Sequence, residues 1–183
     1  MNSDSDQNRA EGHIIVREAT IEDTVRMGEI AVDAWNFAYA SFLPAEFLAA
    51  RNDPVARGNR MREAWGDGRY RLVGLDPNGR VAGFAIAICP SKLEGYDCEI
   101  EALYVDPKTI RGGIGQRMVE EMVNHFTALG HRSMAIHTLA ENVISCSFYA
   151  KIGGTAGPFT TWFDFPSRWF VWPNIRESFS GIL

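Results

Sequence analysis

The sequence predicts a mixed α/β (α+β) domain: a central, mostly antiparallel sheet of about six to seven strands flanked by four helices. Three observations carry this. Short β-rich runs and helical periodicities alternate along the chain, a turn sequence between two apolar runs marks a hairpin, and strands close the sequence. The 183 residues are 46% hydrophobic and 22% charged, an ordinary globular balance and a length suited to one domain. We therefore expect a disordered tail over residues 1–12 and a single domain over 13–183.

His13 to Arg17 (HIIVR) reads as the first strand, and Thr20 with Asp23 forms a capping-box pattern that opens a helix. Met27, Ile30, Ala31, Ala34, Trp35 and Ala38 recur at spacings of three and four, giving that helix one buried face to about Tyr39. A second helical stretch from Pro44 to Trp65 is broken at Pro54. Arg69–Leu75 and Val81–Cys89 flank Asp76-Pro77-Asn78-Gly79, a tight reversal in which Pro and Gly supply the required φ values. Glu99–Val105 reads as a further strand, and residues 114, 118, 119, 122, 123, 126 and 129 give a helix that Gly130 stops. Ser133–Leu139 is a strand, Asn142–Ile152 a short helix, and Thr160–Phe165 with Trp169–Trp172 are aromatic closing strands.

The net charge of -5 disfavours the basic footprint that nucleic acid requires. The longest apolar run, Val81 to Cys89, has nine residues, against about 20 for a membrane span. Neither nucleic acid nor membrane is an expected partner. Cys89, Cys98 and Cys146 are odd in number with no CxxC, so unpaired thiols in a reducing, cytoplasmic setting are expected. The four histidines lack metal-ligand spacing such as HExxH, and no metal is expected.

Chemistry concentrates in the strand-to-helix junction Val105-Asp106-Pro107-Lys108-Thr109-Ile110-Arg111-Gly112-Gly113-Ile114-Gly115-Gln116. Glycines let the backbone approach a ligand, and the free N–H groups of a helix's first turn suit a phosphate. Gln116-Arg117 after Gly115 excludes a P-loop, and G-G-x-G departs from the dinucleotide fingerprint G-x-G-x-x-G.

The stretch resembles the signature Q/R-x-x-G-x-G/A of the GNAT superfamily of N-acetyltransferases, with Gly113 and Gly115 at both glycine positions. The resemblance extends through Ile14-Val-Arg-Glu-Ala-Thr, Trp35 and Tyr39, Glu99–Val105, and Asn142, Phe148-Tyr149 and Gly153, covering about residues 13–165. Ile110 replaces the leading Gln or Arg, while Arg111 matches the second position. The resemblance implies a GNAT fold and acetyl-CoA as cofactor, bound by Arg111, Gly112, Gly113, Ile114, Gly115 and Gln116, with Leu103, Tyr104 and Val105 along the pantetheine arm and Asn142 at the next helix. It implies acetyl transfer to a primary amine of a small molecule or peptide.

An alkylammonium must lose a proton before it attacks a thioester. Glu99, aligned with a family base, is the first candidate for that role and Glu101, on the same strand face by period-two geometry, the second; a water relay is the alternative. A backbone N–H near Leu103 or Tyr104 would hold the oxyanion, and Tyr149 would protonate the leaving thiolate. Trp35 and Tyr39, with Phe37 and Phe42, are expected at the acceptor cleft, and Trp162 or Phe163 opposite. Five arginines from Arg57 to Arg71, interrupted by Glu63 and Asp67, read as a solvated face. Trp162, Trp169, Phe170 and Trp172 are either core or a homodimer surface. A non-catalytic acyl-CoA-binding or sensing module is the rival function.

Overall fold

The computed structural model describes residues 14–181; the tail expected over residues 1–12 and His13 lie outside them. The elements follow in the order β1 (Val16–Glu18), α1 (Thr24–Tyr39), α2 (Ala45–Ala49), α3 (Pro54–Glu63), β2 (Tyr70–Leu75), β3 (Val81–Ile88), β4 (Cys98–Val105), α4 (Ile114–Ala128), β5 (Met134–Leu139), α5 (Val143–Lys151), β6 (Thr155–Trp162), β7 (Phe165–Trp172) and α6 (Ile175–Ser178). All seven strands form one sheet in the order β1-β2-β3-β4-β5-β7-β6. Every pairing is antiparallel except β4 with β5.

Two short helices were not expected. The stretch from Pro44 to Trp65 divides into α2 and α3, with Pro54 at the first turn of α3 where a missing N–H costs nothing. Asp53 caps α3 by accepting the Ala56 N–H at 2.9 Å. At the other end Asn174 caps α6, a single turn too short for a periodicity to reveal. The Thr20–Asp23 box is present one turn before α1: Asp23 accepts the Thr20 N–H at 2.7 Å and holds Arg17 through both oxygens, at 2.7 and 2.9 Å.

Alternation along the strands supplies two apolar faces. Leu72, Ala85, Ala87 and Ile100 turn to one side, where α4 buries Met118, Met122 and Phe126. Val73 and Phe84 turn to the other, under Met27, Ile30 and Ala31 of α1, with Met61 of α3 beside them. α1 and α3 come close enough that a Cβ on Gly28 would lie 2.3 Å from the Pro54 oxygen, and one on Gly58 2.8 Å from the Thr24 oxygen.

The closing hairpin differs from expectation. Its turn is Phe163-Asp164, both at positive φ, the geometry of a two-residue hairpin loop. Trp162 therefore pairs with Phe165: the first expected closing strand, Thr160–Phe165, is split by the turn, and β7 runs unbroken from Phe165 to Trp172. Phe-Asp carries no glycine to announce such a turn. Phe170 and Trp172 are core residues, leaving Trp162 and Trp169 half-buried.

The cysteines also differ. Cys89 and Cys98 form a disulfide that ties the end of β3 to the start of β4, and Cys146 alone is free. The expectation of three unpaired thiols is corrected: the two residues are nine apart in sequence, but the antiparallel pairing of β3 with β4 places them opposite each other. None of the described helices is long and apolar enough to cross a membrane.

The α1–α3 crossing tolerates no added side chain at its closest point. Gly58→Ala is expected to cost about 1–3 kcal/mol through overpacking against backbone, read as a fall of several degrees in the thermal midpoint; an unchanged midpoint would show that the helices separate freely.

Candidate active site

β4 organises the site because its pairing changes along its length. Against β3, Ile86 pairs with Ala102 and Ala87 with Ile100, leaving Glu101 without a partner at a bulge. Alternation read through the strand puts Glu99 and Glu101 on one face; in the structure a bulge lies between them, and they nevertheless converge on Lys92. Glu99 accepts the Lys92 backbone N–H at 2.9 Å, and Glu101 accepts from the Lys92 ammonium and from Arg69 Nε at 2.6 Å.

Their electrostatics diverge. Glu99 is only 3% exposed, and burial pushes its carboxyl above the usual value despite the Lys92 N–H and charge. Burial acts on Glu101 in the same direction, but Lys92 and Arg69 outweigh it and hold that carboxyl below the usual range. Glu99 thus holds its proton more readily than an ordinary glutamate, while Glu101 is committed to two cations.

Against β5, β4 pairs only over Cys98–Ile100, and the strands then part. In an antiparallel ladder alternate residues direct their N–H groups to opposite edges. The Asp106 N–H donates to the Ala82 oxygen on the β3 side at 2.8 Å, so Tyr104, two residues earlier, points the same way. By that alternation the amides of Leu103 and Val105 face the gap. Tyr104 offers its side chain instead, its hydroxyl accepting from Trp35 Nε1 at 2.9 Å.

The loop beyond β4 is built around Asp106, which accepts the Lys108 N–H at 2.9 Å and pairs with Arg26 of α1. The sequence signal for this turn is an Asp before Pro, an Asx-type start, and its role as an anchor was not read from it. Arg111 and Gly113 adopt positive φ, 65° and 85°. Gly113 caps α4 with no side-chain bond, and the first helical bond of that turn runs from the Arg117 N–H to the Gly113 oxygen at 3.0 Å. The N–H groups of Ile114, Gly115 and Gln116 are left without intrahelical acceptors, a cradle that a phosphate fits.

Three tyrosine hydroxyls meet near the gap. Tyr149 on α5 is buried among Phe148, Phe170 and Trp172, and burial, with Tyr39 and Tyr104 nearby, holds its hydroxyl protonated well beyond neutral pH. Burial and Tyr104 act likewise on Tyr39. Trp35 and Tyr39 are buried in an aromatic cluster with Leu43 and Leu139, forming a wall rather than an open lining, whereas Phe37 is exposed. Asn142 is a helix cap: its side-chain oxygen accepts the Ser145 N–H at 3.1 Å and its amide donates to the Ser145 hydroxyl at 2.8 Å.

The arginines expected to coat a solvated face divide. Arg71 is buried and pairs with Asp67, Arg69 joins Asp67 and Glu101, and Arg57 is half-buried over the Trp35 ring at 4.4 Å. Arg69 is exposed but ion-paired, and Arg60 and Arg62 are exposed without an ion pair among the described residues. Lys92 and Arg57 are residues that no motif marked.

Residues 30–154 match the family model described as Acetyltransferase (GNAT) family. The chain belongs to that family. As GNAT enzymes do, it relies on acetyl-CoA as donor. It is 27% identical over 132 residues to the uncharacterized N-acetyltransferase YuaI of Bacillus subtilis (strain 168), covering 70% of this chain and 73% of YuaI. It is also 27% identical over 135 residues to the mycothiol acetyltransferase of Arthrobacter sp. (strain FB24), covering 71% of this chain but only 39% of that longer protein. The GNAT fold is matched by PaiA N-acetyltransferase of Thermoplasma acidophilum in complex with coenzyme A, at a TM-score of 0.69 and 20% identity over 85% of this chain and 98% of that one. YncA of Salmonella typhimurium, solved with its cofactor acetyl-CoA, gives 0.65 and 19% over 87% and 93%.

The opposite shifts of the two glutamates make opposite contributions to stability. Glu99, raised in the folded state, stabilises fully below the usual glutamate value of 4.5 and loses that contribution as pH rises through its folded value. Glu101, depressed, stabilises above 4.5 and loses its contribution as pH falls through its folded value. At pH 7 Glu99→Gln is expected to raise the thermal midpoint, and Glu101→Gln to lower it by the ~2–4 °C that about 1 kcal/mol of partly screened ion pairing represents. Shifts of the same sign in the two variants would contradict the assignment.

Proposed function

We propose that this chain transfers the acetyl group of acetyl-CoA directly to a primary amine of a small molecule or peptide, both substrates being bound together. One observation carries the reading: β4 joins a buried, raised-pKa carboxylate at one end, an unpaired edge in its middle and a phosphate-sized cradle of free N–H groups beyond its other end. Acetyl-CoA, when bound, supplies the activated acetyl thioester.

The protein's own groups divide the work. Ile114, Gly115 and Gln116 direct backbone N–H groups at the pyrophosphate, with Arg111, Gly112 and Gly113 shaping the approach. Leu103 and Val105 offer the free β4 edge to the pantetheine arm, beside Tyr104. Glu99 accepts the proton that the amine nitrogen gives up as it bonds to the acetyl carbon, directly or through a water. The Leu103 N–H donates to the carbonyl oxygen as negative charge gathers there. Tyr149, which keeps its proton at neutral pH, donates from its hydroxyl to the departing sulfur. Glu101, neutralised by Lys92 and Arg69, sets the field around Glu99 and is the weaker candidate for base. Asn142 supports this arrangement by starting α5, which carries Tyr149.

Incubation with acetyl-CoA and a panel of primary amines is expected to yield free thiol and acetylated amine in equal amounts. Acetyl-CoA binding without acetylation of any amine would replace this reading with the binding-module one. Glu99→Gln is expected to lower kcat by about 10²–10⁴-fold and to remove a limb of the pH–rate profile lying above the ordinary glutamate range. Tyr149→Phe should lower kcat far more than it weakens acetyl-CoA binding; unchanged turnover would reject Tyr149 as the donor.

Cofactor placement has a separate test. At Gly113 an added Cβ would sit 2.9 Å from the Ile14 side chain on a backbone at φ 85°, where L side chains are strained. Gly113→Ala is therefore expected to turn the 114–116 amides aside and weaken acetyl-CoA binding by about tenfold or more in a folded protein; unchanged affinity by calorimetry would move the cradle elsewhere.

A further inference from the structure

On the α1/α3 face of the sheet lies a cleft of about 240 Å³ whose lining includes Arg57, Arg60, Arg69 and Arg71, a single carboxylate, Asp67, and the apolar floor of Ile86. The chain as a whole carries a net charge of -5, so this is a local reversal of sign. Asp67 is spent on Arg69 and Arg71, and Arg69 is further bound to Glu101. Among the described residues, neither Arg57 nor Arg60 has an ion-pair partner.

Arg57 is a built feature of the cleft rather than a loose surface side chain. Its guanidinium stacks on the Trp35 ring at 4.4 Å and donates from Nε to the Arg51 oxygen at 3.1 Å. One edge is thereby fixed, and the two terminal nitrogens have no acceptor among the described residues. Burial and the neighbouring Arg60 and Arg51 depress its proton affinity, while Tyr104 and Tyr39 offset part of this. A half-buried guanidinium without a counterion gains from any anion that reaches it, and its fork suits a carboxylate or phosphate held by two parallel hydrogen bonds.

The cleft adjoins the reaction centre through shared residues. Ile86 pairs with Ala102 of β4, next to the bulged Glu101; Arg69 lines the cleft and holds Glu101; and Arg57 leans on Trp35, which donates to Tyr104. Arg57 and Arg69, the partner of Glu101, thus line one cleft beside the strand that carries Glu99.

We infer that Arg57, assisted by Arg60, is a specificity-determining residue that binds an anionic group, a carboxylate or a phosphate monoester, on the amine acceptor. The inference rests on the acetyl-transfer reading and narrows its substrate class from primary amines in general to amines bearing a negative charge.

The test compares matched amines by calorimetry on protein saturated with coenzyme A, so that it reads binding whether or not turnover occurs. The probes are ω-amino carboxylates of two to five methylenes against their primary amides, and O-phosphoethanolamine against ethanolamine. At least one anionic member is expected to bind about tenfold or more tighter than its neutral partner, and the two series distinguish carboxylate from phosphate. Arg57→Ala is expected to abolish that difference. Arg57→Lys, which keeps the charge but not the fork, and Arg60→Ala are expected to reduce it, and they carry the test should Arg57→Ala fail to fold.

Equal binding within every pair, binding of no amine, or a preference that persists in Arg57→Ala would each overturn the inference. Anion preference without any acetylated product would instead overturn the acetyl-transfer reading, and acetylation of neutral and anionic amines with equal kcat/KM would overturn only the role of Arg57.

Discussion

Three residue pairs of parallel ladder, Cys98 with Met134, Glu99 with Ala135 and Ile100 with Ile136, join the two halves of the sheet. Strands β1 to β3 connect to the rest only through β4, and β7 and β6 only through β5. The ladder ends where the Glu101 bulge re-aims β4, and past that point neither strand supplies the other's hydrogen bonds. An unpaired backbone edge inside a protein is costly unless something occupies it. The interruption is therefore both a weakness in the sheet and the edge onto which we propose the pantetheine arm docks.

Around that gap the polar groups are arranged by contrast. Glu99 sits in surroundings that discourage its charge, while Glu101, two residues away, is held ionised by two cations. Neighbouring groups whose environments push them apart can take different roles at one pH. The loop bearing Lys92, closed by the Cys89–Cys98 disulfide, sets this contrast because it contacts both carboxylates. On the same face Arg57 is held by the Trp35 ring and the Arg51 oxygen, on an α3 that the Gly28–Gly58 contact brings onto α1.

Much of this was legible in the sequence, for reasons that differ by residue. The apolar spacing of α4 and the Asp76–Gly79 turn are local, and local chemistry decides them. The start of α4 was legible at Gly113 because that position takes a positive φ that glycine adopts without strain. Other features arise only from pairing. The bulge at Glu101 depends on what β3 places opposite, the disulfide on strand register, and the Phe163-Asp164 turn on a hairpin strong enough to impose positive φ on Phe163, a residue that does not favour it. Arg57 reads as one arginine among five until α3 is laid against Trp35; nothing in its own neighbourhood distinguishes it from Arg62, which remains in solvent.

Helix α1 bears on both ends of the site. Arg26 near its start grips Asp106 at the root of the cradle loop, and Trp35, nine residues on, backs Arg57 and Tyr104. At 1.5 Å per residue those points are about 14 Å apart along a rod stiffened by its own hydrogen bonds. The helix works as a ruler: the spacing between the proposed donor cradle and the proposed acceptor wall is set by counting residues, not by adjusting loops. Inserting or deleting one residue within it would rotate Trp35 by about 100° about the helix axis and part the two halves of the site without touching either.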